Sequence, residues 1–164
     1  MAALLALAPT LLFLLAISAL ISAAETAMTA ASRGRMHQLE RDGDHAARRV
    51  NLLLTDRERM IGAILLSYNV INIFASSLTT SVLTSMFPQG SVMGPLIATV
   101  IMSVLVVVFA EILPKTLAIA HPDNVARALS IPTFWTVRLF GPIANGAQWI
   151  VRQTLRPFGI NLSM

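Results

Sequence analysis

Residues 106–120 read VVVFAEILPKTLAIA, and they decide how the chain folds. The stretch continues an apolar run that starts near residue 92, long enough to cross a bilayer, which takes about 20 residues. Inside it stand Glu111, Pro114 and Lys115: a carboxylate, a helix breaker and an ammonium in otherwise oily sequence. A charge at such depth costs about 2.5–3.5 kcal/mol on insertion scales. A span that keeps all three residues needs a reason for them.

The whole chain has the composition of a membrane protein. Its 164 residues are 55% hydrophobic and 12% charged, where a soluble domain carries about 25% charged residues. The net charge of +4 is accordingly read first as topology. Aromatics are few and not interleaved with lysines, which argues against nucleic-acid binding. Cysteine is absent, and the three histidines, His37, His45 and His121, form no HxxxH or HxH pair. Thiolate metal sites, disulfides and a zinc or haem site are therefore not expected. With no nucleophile paired to a base and no phosphate-cradling glycine loop, the chain does not read as an enzyme.

Apolar patterning predicts an all-α membrane protein with spans at roughly 3–27, 61–86 and 92–120. The first run lacks a basic leader and is too long for a signal peptide. Between spans one and two, residues 32–59 mix arginines with Glu40, Asp42, Asp44, Asp56 and Glu58. Their leucine spacing predicts a hairpin of two short solvated helices, broken near Asp42-Gly43-Asp44. No basic residue precedes span one or sits between spans two and three. The arginine-rich loop is thus expected in the cytoplasm, with the N-terminus outside and the C-terminus inside.

Residues 1–122 then form the transmembrane domain, and 123–164 a separate region. That region is apolar but interrupted by Pro132, Arg138, Gly141, Pro142 and Gly146. A fourth span would carry an arginine near its centre. A juxtamembrane helix lying in the interface fits better, with Trp135 and Trp149 at headgroup level and Arg127, Arg138, Arg152 and Arg156 facing phosphates.

Polar residues in the spans fall on single helical faces: Ser18, Ser22, Glu25 and Thr29 in the first, Asn69, Asn72, Ser76 and Thr79 or Thr80 in the second, Thr99, Ser103 and Glu111 in the third. Such residues often only bind helices together, and Glu25, near the cytoplasmic end, can be solvated or paired with an arginine. Glu111 can protonate, pair with Lys115 one turn on, or bind a cation. Pro114 favours the last option. It removes the donor to the Ala110 carbonyl and frees carbonyls of residues 107–110, Val108 and Ala110 among them. Exposed backbone at membrane depth must meet protein, water or a ligand. A carboxylate, freed carbonyls, amides and hydroxyls together make an all-oxygen site of the kind hard cations prefer.

The stretches ISAAETAMTAASRGRM, LLSYNVINIFASSLTTSVL and VFAEILPKTLA resemble, in order and spacing, the transmembrane domain of the CNNM/CorC family, whose members are implicated in magnesium transport. The resemblance covers about residues 20 to 120. It implies magnesium ligands at Ser22, Asn69 and Glu111 with a backbone carbonyl just before Glu111, and Asn72 as a further ligand or supporting partner. Pro114, Lys115, Glu25 and Ser76 would form the helix break and the surrounding polar shell. It also implies a homodimer, magnesium efflux coupled to sodium entry, a bacterial inner-membrane location, and a cytoplasmic CBS domain pair following in the full-length chain. Two other readings stay open: a magnesium sensor or scaffold that does not conduct, and a membrane anchor in which Glu111 is merely paired with Lys115. The chain departs from the family pattern at SYN (Ser67, Tyr68, Asn69) for Gly-Asn-Asn, at FAE (Phe109, Ala110, Glu111) for Phe-Gly-Glu, and at SAAE for Ser-Gly-Ser-Glu. Tyr68 thereby takes the place of one possible amide ligand.

Overall fold

The computed structural model describes residues 2–88 and 90–155, so Arg156 lies outside the described residues, and the side chain of Arg152 is not described either. All regular structure among the described residues is helical. Helix α1 (Ala2–Ala30) is Ala- and Leu-rich, the composition with the least helical penalty. It leads into a hairpin of α2 (Arg33–Arg41) and α3 (His45–Thr55), and then α4 (Arg57–Thr84). The third apolar run is α5 (Met93–Leu105), a π-helical segment (Val106–Ile112) and α6 (Leu113–Ala120). Two further helices follow, α7 (Pro122–Ala128) and α8 (Ser130–Leu155).

Three segments are long and apolar enough to cross a membrane: Leu7–Ala30, Arg57–Thr84 and Met93–Ala120. These are the expected spans to within a few residues at each end. Their outward residues, among them Leu12, Phe13, Ile73, Val100, Ile112 and Ile119, are exposed hydrophobics that a bilayer would cover. The chain is an integral membrane protein.

Local chemistry sets the hairpin. Gly43 adopts a φ of 92°, a left-handed conformation that glycine accepts without steric penalty. Asp44 then caps α3, its Oδ1 accepting the Ala46 and Ala47 N–H groups at 2.7 and 3.1 Å. Asp56 caps α4 by accepting the Arg59 N–H at 3.2 Å. The hairpin is not simply solvated, as its charge suggested. Its inner face, Met36, Val50, Leu53 and Leu54, is buried in one core with Met28 of α1 and Met60 and Ile64 of α4. Burying each such side chain contributes roughly 1.5–3 kcal/mol, so this core fastens α1 to α4 at one end.

Polar ties add the later helices. The Arg127 guanidinium meets the Asp44 carboxylate at 2.6 Å, and Asp123 accepts the Ser32 N–H at 2.9 Å. Arg49 donates from Nε to the Ser130 hydroxyl at 3.2 Å. The Ala47 N–H above all, with that of Ala46 and with Arg127, holds the Asp44 carboxyl below its ordinary range.

Helix α8 runs unbroken through Pro142, where the sequence suggested interruption. It is not among the three helices with the length and apolarity of a span. Pro132 and Thr133 share a cavity wall with Ile64, Gln148 donates to the Glu58 carbonyl at 3.1 Å, and Val151 lies beside Leu65. Ala144, Ala147, Gln148 and Val151 of α8 share one cavity wall with Glu58, Ile61, Gly62, Leu65, Leu66 and Asn69 of α4. The second half of α8 thus packs along the beginning of α4.

Candidate metal centre

Helices α1 and α4 are joined by a rigid hairpin and pack antiparallel, so one turn forward in α1 matches one turn back in α4. One level is marked by a hydrogen bond, in which the Ser18 hydroxyl donates to Asn72 Oδ1 at 2.8 Å. One turn closer to the hairpin, the two helices present Ser22 and Tyr68. Both hydroxyl oxygens are buried; Ser22 has no hydrogen-bond partner, and Tyr68 has none of good geometry, with the Asn72 side chain the polar group within its reach. Other hydroxyls in the spans close onto their own backbone: Ser67 donates to the Ile64 carbonyl, Thr79 to that of Ala75, and Thr99 to that of Pro95, each at 2.8 Å. Ser22 does not. An unmade bond on a buried hydroxyl costs about 1–3 kcal/mol, so two on one level mark a place where polar partners are wanted.

Glu111, on the third span, is near enough for its charge to act on the Tyr68 hydroxyl. Its Oε1 accepts from Lys115 Nζ at 3.1 Å, with side chains 42% and 36% exposed. The fields of Glu111, Lys115 and Glu25 all reach the Tyr68 hydroxyl, which also sits beside Asn72. Glu25 makes no ion pair among the described residues and is half-buried. Ala110 is fully buried where the π segment meets α1, a backbone approach only a small side chain permits.

The break around Pro114 takes a form the sequence did not show. Pro114 itself is buried in the first turn of α6, and the helix before it widens instead of opening. Over Val106–Ile112 it is π-helical, and the Leu113 N–H donates to the Val108 carbonyl five residues back. The Val108 carbonyl is therefore engaged and keeps one lone pair. π-Helical turns of this kind concentrate at functional sites.

The remaining residues singled out in the sequence lie to one side. Asn69, Asn72 and Ser76 line a cavity of about 470 Å³ between α4 and the α5–π segment, together with Thr99 and Ser103. Neither Ser22 nor Glu111 lines it. Asn69 is exposed and its amide donates to the Leu65 carbonyl at 2.9 Å. Reasoning from sequence undervalued Tyr68, which it counted only as a lost amide. The available signal was spacing, since Tyr68 is one turn from Asn72 on the same face. No group of three or more acidic, histidine or cysteine side chains occurs among the described residues. What the arrangement offers an ion is one carboxylate with hydroxyl, amide and carbonyl oxygens.

The fold and this intramembrane polar cluster define an all-α membrane domain of the kind found in transporters and their associated proteins. The sequence profile of the Cyclin M transmembrane N-terminal domain matches residues 10–164, and the chain belongs to that family. It is 35% identical over 144 residues to the UPF0053 inner membrane protein YfjD of Escherichia coli, covering 88% of this chain and 33% of that protein. A UPF0053 protein of Synechocystis is 29% identical over 141 residues, 86% of this chain and 39% of its own. A chloroplastic DUF21 domain-containing protein of Arabidopsis thaliana is 29% identical over 148 residues, 90% of this chain and 22% of its own. The chain spans between about a fifth and two fifths of the length of these curated relatives.

Proposed function

We propose that the chain is the membrane domain of a magnesium transporter, with the ion as cargo in an all-oxygen site between α1, α4 and the π segment. The observation that carries this reading is the buried Ser22 hydroxyl without a partner, on one level with the Tyr68 hydroxyl, on which the Glu111 charge acts. Magnesium takes oxygen ligands at ~2.0–2.1 Å, prefers octahedral geometry and keeps several of its waters. Hydroxyls and amides suit it directly or through those waters, and Glu111 supplies the charge. Lys115 acts as the resting counter-ion, which an arriving cation displaces. Asn72 holds the adjoining turn through Ser18, and Asn69 and Ser76 line the neighbouring cavity as an approach to the site.

The family resemblance supplies the rest of the proposal. Magnesium moves outward with sodium entering, the domain works as a homodimer, and a cytoplasmic CBS pair regulates it in the full-length chain. The name of the Escherichia coli relative supports an inner-membrane location. The arginine-rich hairpin is placed in the cytoplasm, with the N-terminus outside. A second reading, a magnesium sensor that binds without conducting, draws on the closed Glu111–Lys115 pair.

Calorimetric titration of magnesium into the detergent-solubilised domain, beside Glu111→Ala and a calcium control, tests the site. Saturable binding that disappears in the variant is expected. Equal behaviour of the two chains would make Glu111 a structural charge and leave the domain as an anchor. Flux in liposomes then separates transporter from sensor.

A further inference from the structure

A second polar opening lies at the other side of the hairpin, away from the ion site. It is a cavity of about 310 Å³ walled by Leu52 and Leu53 of α3, Asp56 and Arg59 at the start of α4, and Phe134, Val137 and Arg138 of α8. Its charges are unequal: two guanidinium groups against one carboxylate, one oxygen of which accepts the Arg59 N–H to cap α4. Neither arginine forms an ion pair among the described residues.

Arg59 is held in place without being satisfied. Its guanidinium lies over Gly141, where an added Cβ would stand 2.7 Å from Nε, and that Nε is buried with no hydrogen-bond partner. Arg138 lies over the Trp135 ring, 5.7 Å from its centroid. The lip beside these cations is apolar and open, with Leu52 57% and Trp135 61% exposed. Arg59 is in the first turn of a membrane span, which puts the cavity at headgroup depth whichever way the chain is oriented.

Two fixed guanidiniums call for a bidentate oxyanion. An apolar lip at the same depth calls for an acyl chain. A free phosphate would use the first feature and leave the second in water. We propose that this cavity is a binding site for one anionic phospholipid, its phosphodiester between Arg59 and Arg138 and its chain along Leu52, Phe134 and Trp135. The bound lipid bridges α3, α4 and α8, joining the last helix to the hairpin and the second span.

The test is to titrate the purified detergent-solubilised domain with phosphatidylglycerol, phosphatidylcholine or inorganic phosphate, reading the melting temperature and the lipid retained in native mass spectrometry. Phosphatidylglycerol is expected to raise the melting temperature and to be retained, while the other two are not. Arg138→Gln, at an exposed position, should weaken retention about fivefold, the worth of one arginine near an anionic surface. Arg33→Gln, an equal charge change on exposed α2, should leave it unaltered. Equal effects of the two lipids, equal losses in the two variants, or stabilisation by phosphate alone would each overturn the proposal.

Discussion

Ser22 and Ser67 are both fully buried serines in apolar helices, yet only Ser67 has a bond, to the carbonyl three residues back. Removing a hydroxyl that makes no bond removes a penalty. Ser22→Ala is therefore expected to stabilise the ion-free domain by about 1 kcal/mol while weakening magnesium binding about tenfold, and Tyr68→Phe should act in the same direction. Thermal unfolding without ion, set beside calorimetric titration, reads both quantities. A loss of stability in the ion-free state, with affinity unchanged, would show that the two hydroxyls only fill space. The polar faces were legible in the sequence because helical spacing places Ser18 with Ser22 and Tyr68 with Asn72. The register of α1 against α4 was not legible, because it depends on how the Met28–Met60 core seats the hairpin.

Among the elements, the third span shows how one break can be predicted in place and mistaken in kind. Pro114 announces a lost hydrogen bond, but only the three-dimensional chain shows it absorbed by the wide turn Val106–Ile112. The surplus residue is spread over the turns before the proline, where no single side chain signals it. The break in the hairpin was readable for the opposite reason: Asp42-Gly43-Asp44 puts a left-handed glycine beside a capping aspartate, a purely local device. The α4–α5 connection depends on another glycine. A Cβ at Gly94 would stand 2.8 Å from the Thr84 Cα and 3.1 Å from its backbone nitrogen, so backbone would have to move. Gly94→Ala is expected to cost about 1–3 kcal/mol, the usual range for overpacking, measurable as a lower melting temperature in detergent. An unchanged melting temperature would mean the two spans can part without loss at that end.

Across the whole molecule, the hairpin shares a core with α1 and α4 and is tied to α7 and α8, and charge carries part of the connection. The lowered pKa of Asp44, set first by the Ala47 N–H and then by Ala46 and Arg127, means its folded form binds protons less readily than the unfolded chain. Its stabilisation is fully present above the unfolded carboxylate range and is lost as pH falls through the lower folded value. The melting temperature should therefore drop below about pH 4, and less steeply in Asp44→Asn, which cannot titrate. Identical acid profiles for the two chains would place the acid-sensitive group elsewhere. Composition and hydropathy disclosed the membrane class and the spans. They could not disclose that the charged loop buries its own apolar face, because that face is completed by residues from α1 and α4.

The Glu111–Lys115 pair bears on how such a chain comes to be in a bilayer at all. A lone carboxylate would hinder entry of the third span unless it took up a proton or found a partner charge. With an ammonium one turn away on the same helix, the segment brings its own neutraliser and can partition as an almost uncharged unit. Insertion of the third span thereby draws its neutralising charge from within the segment itself.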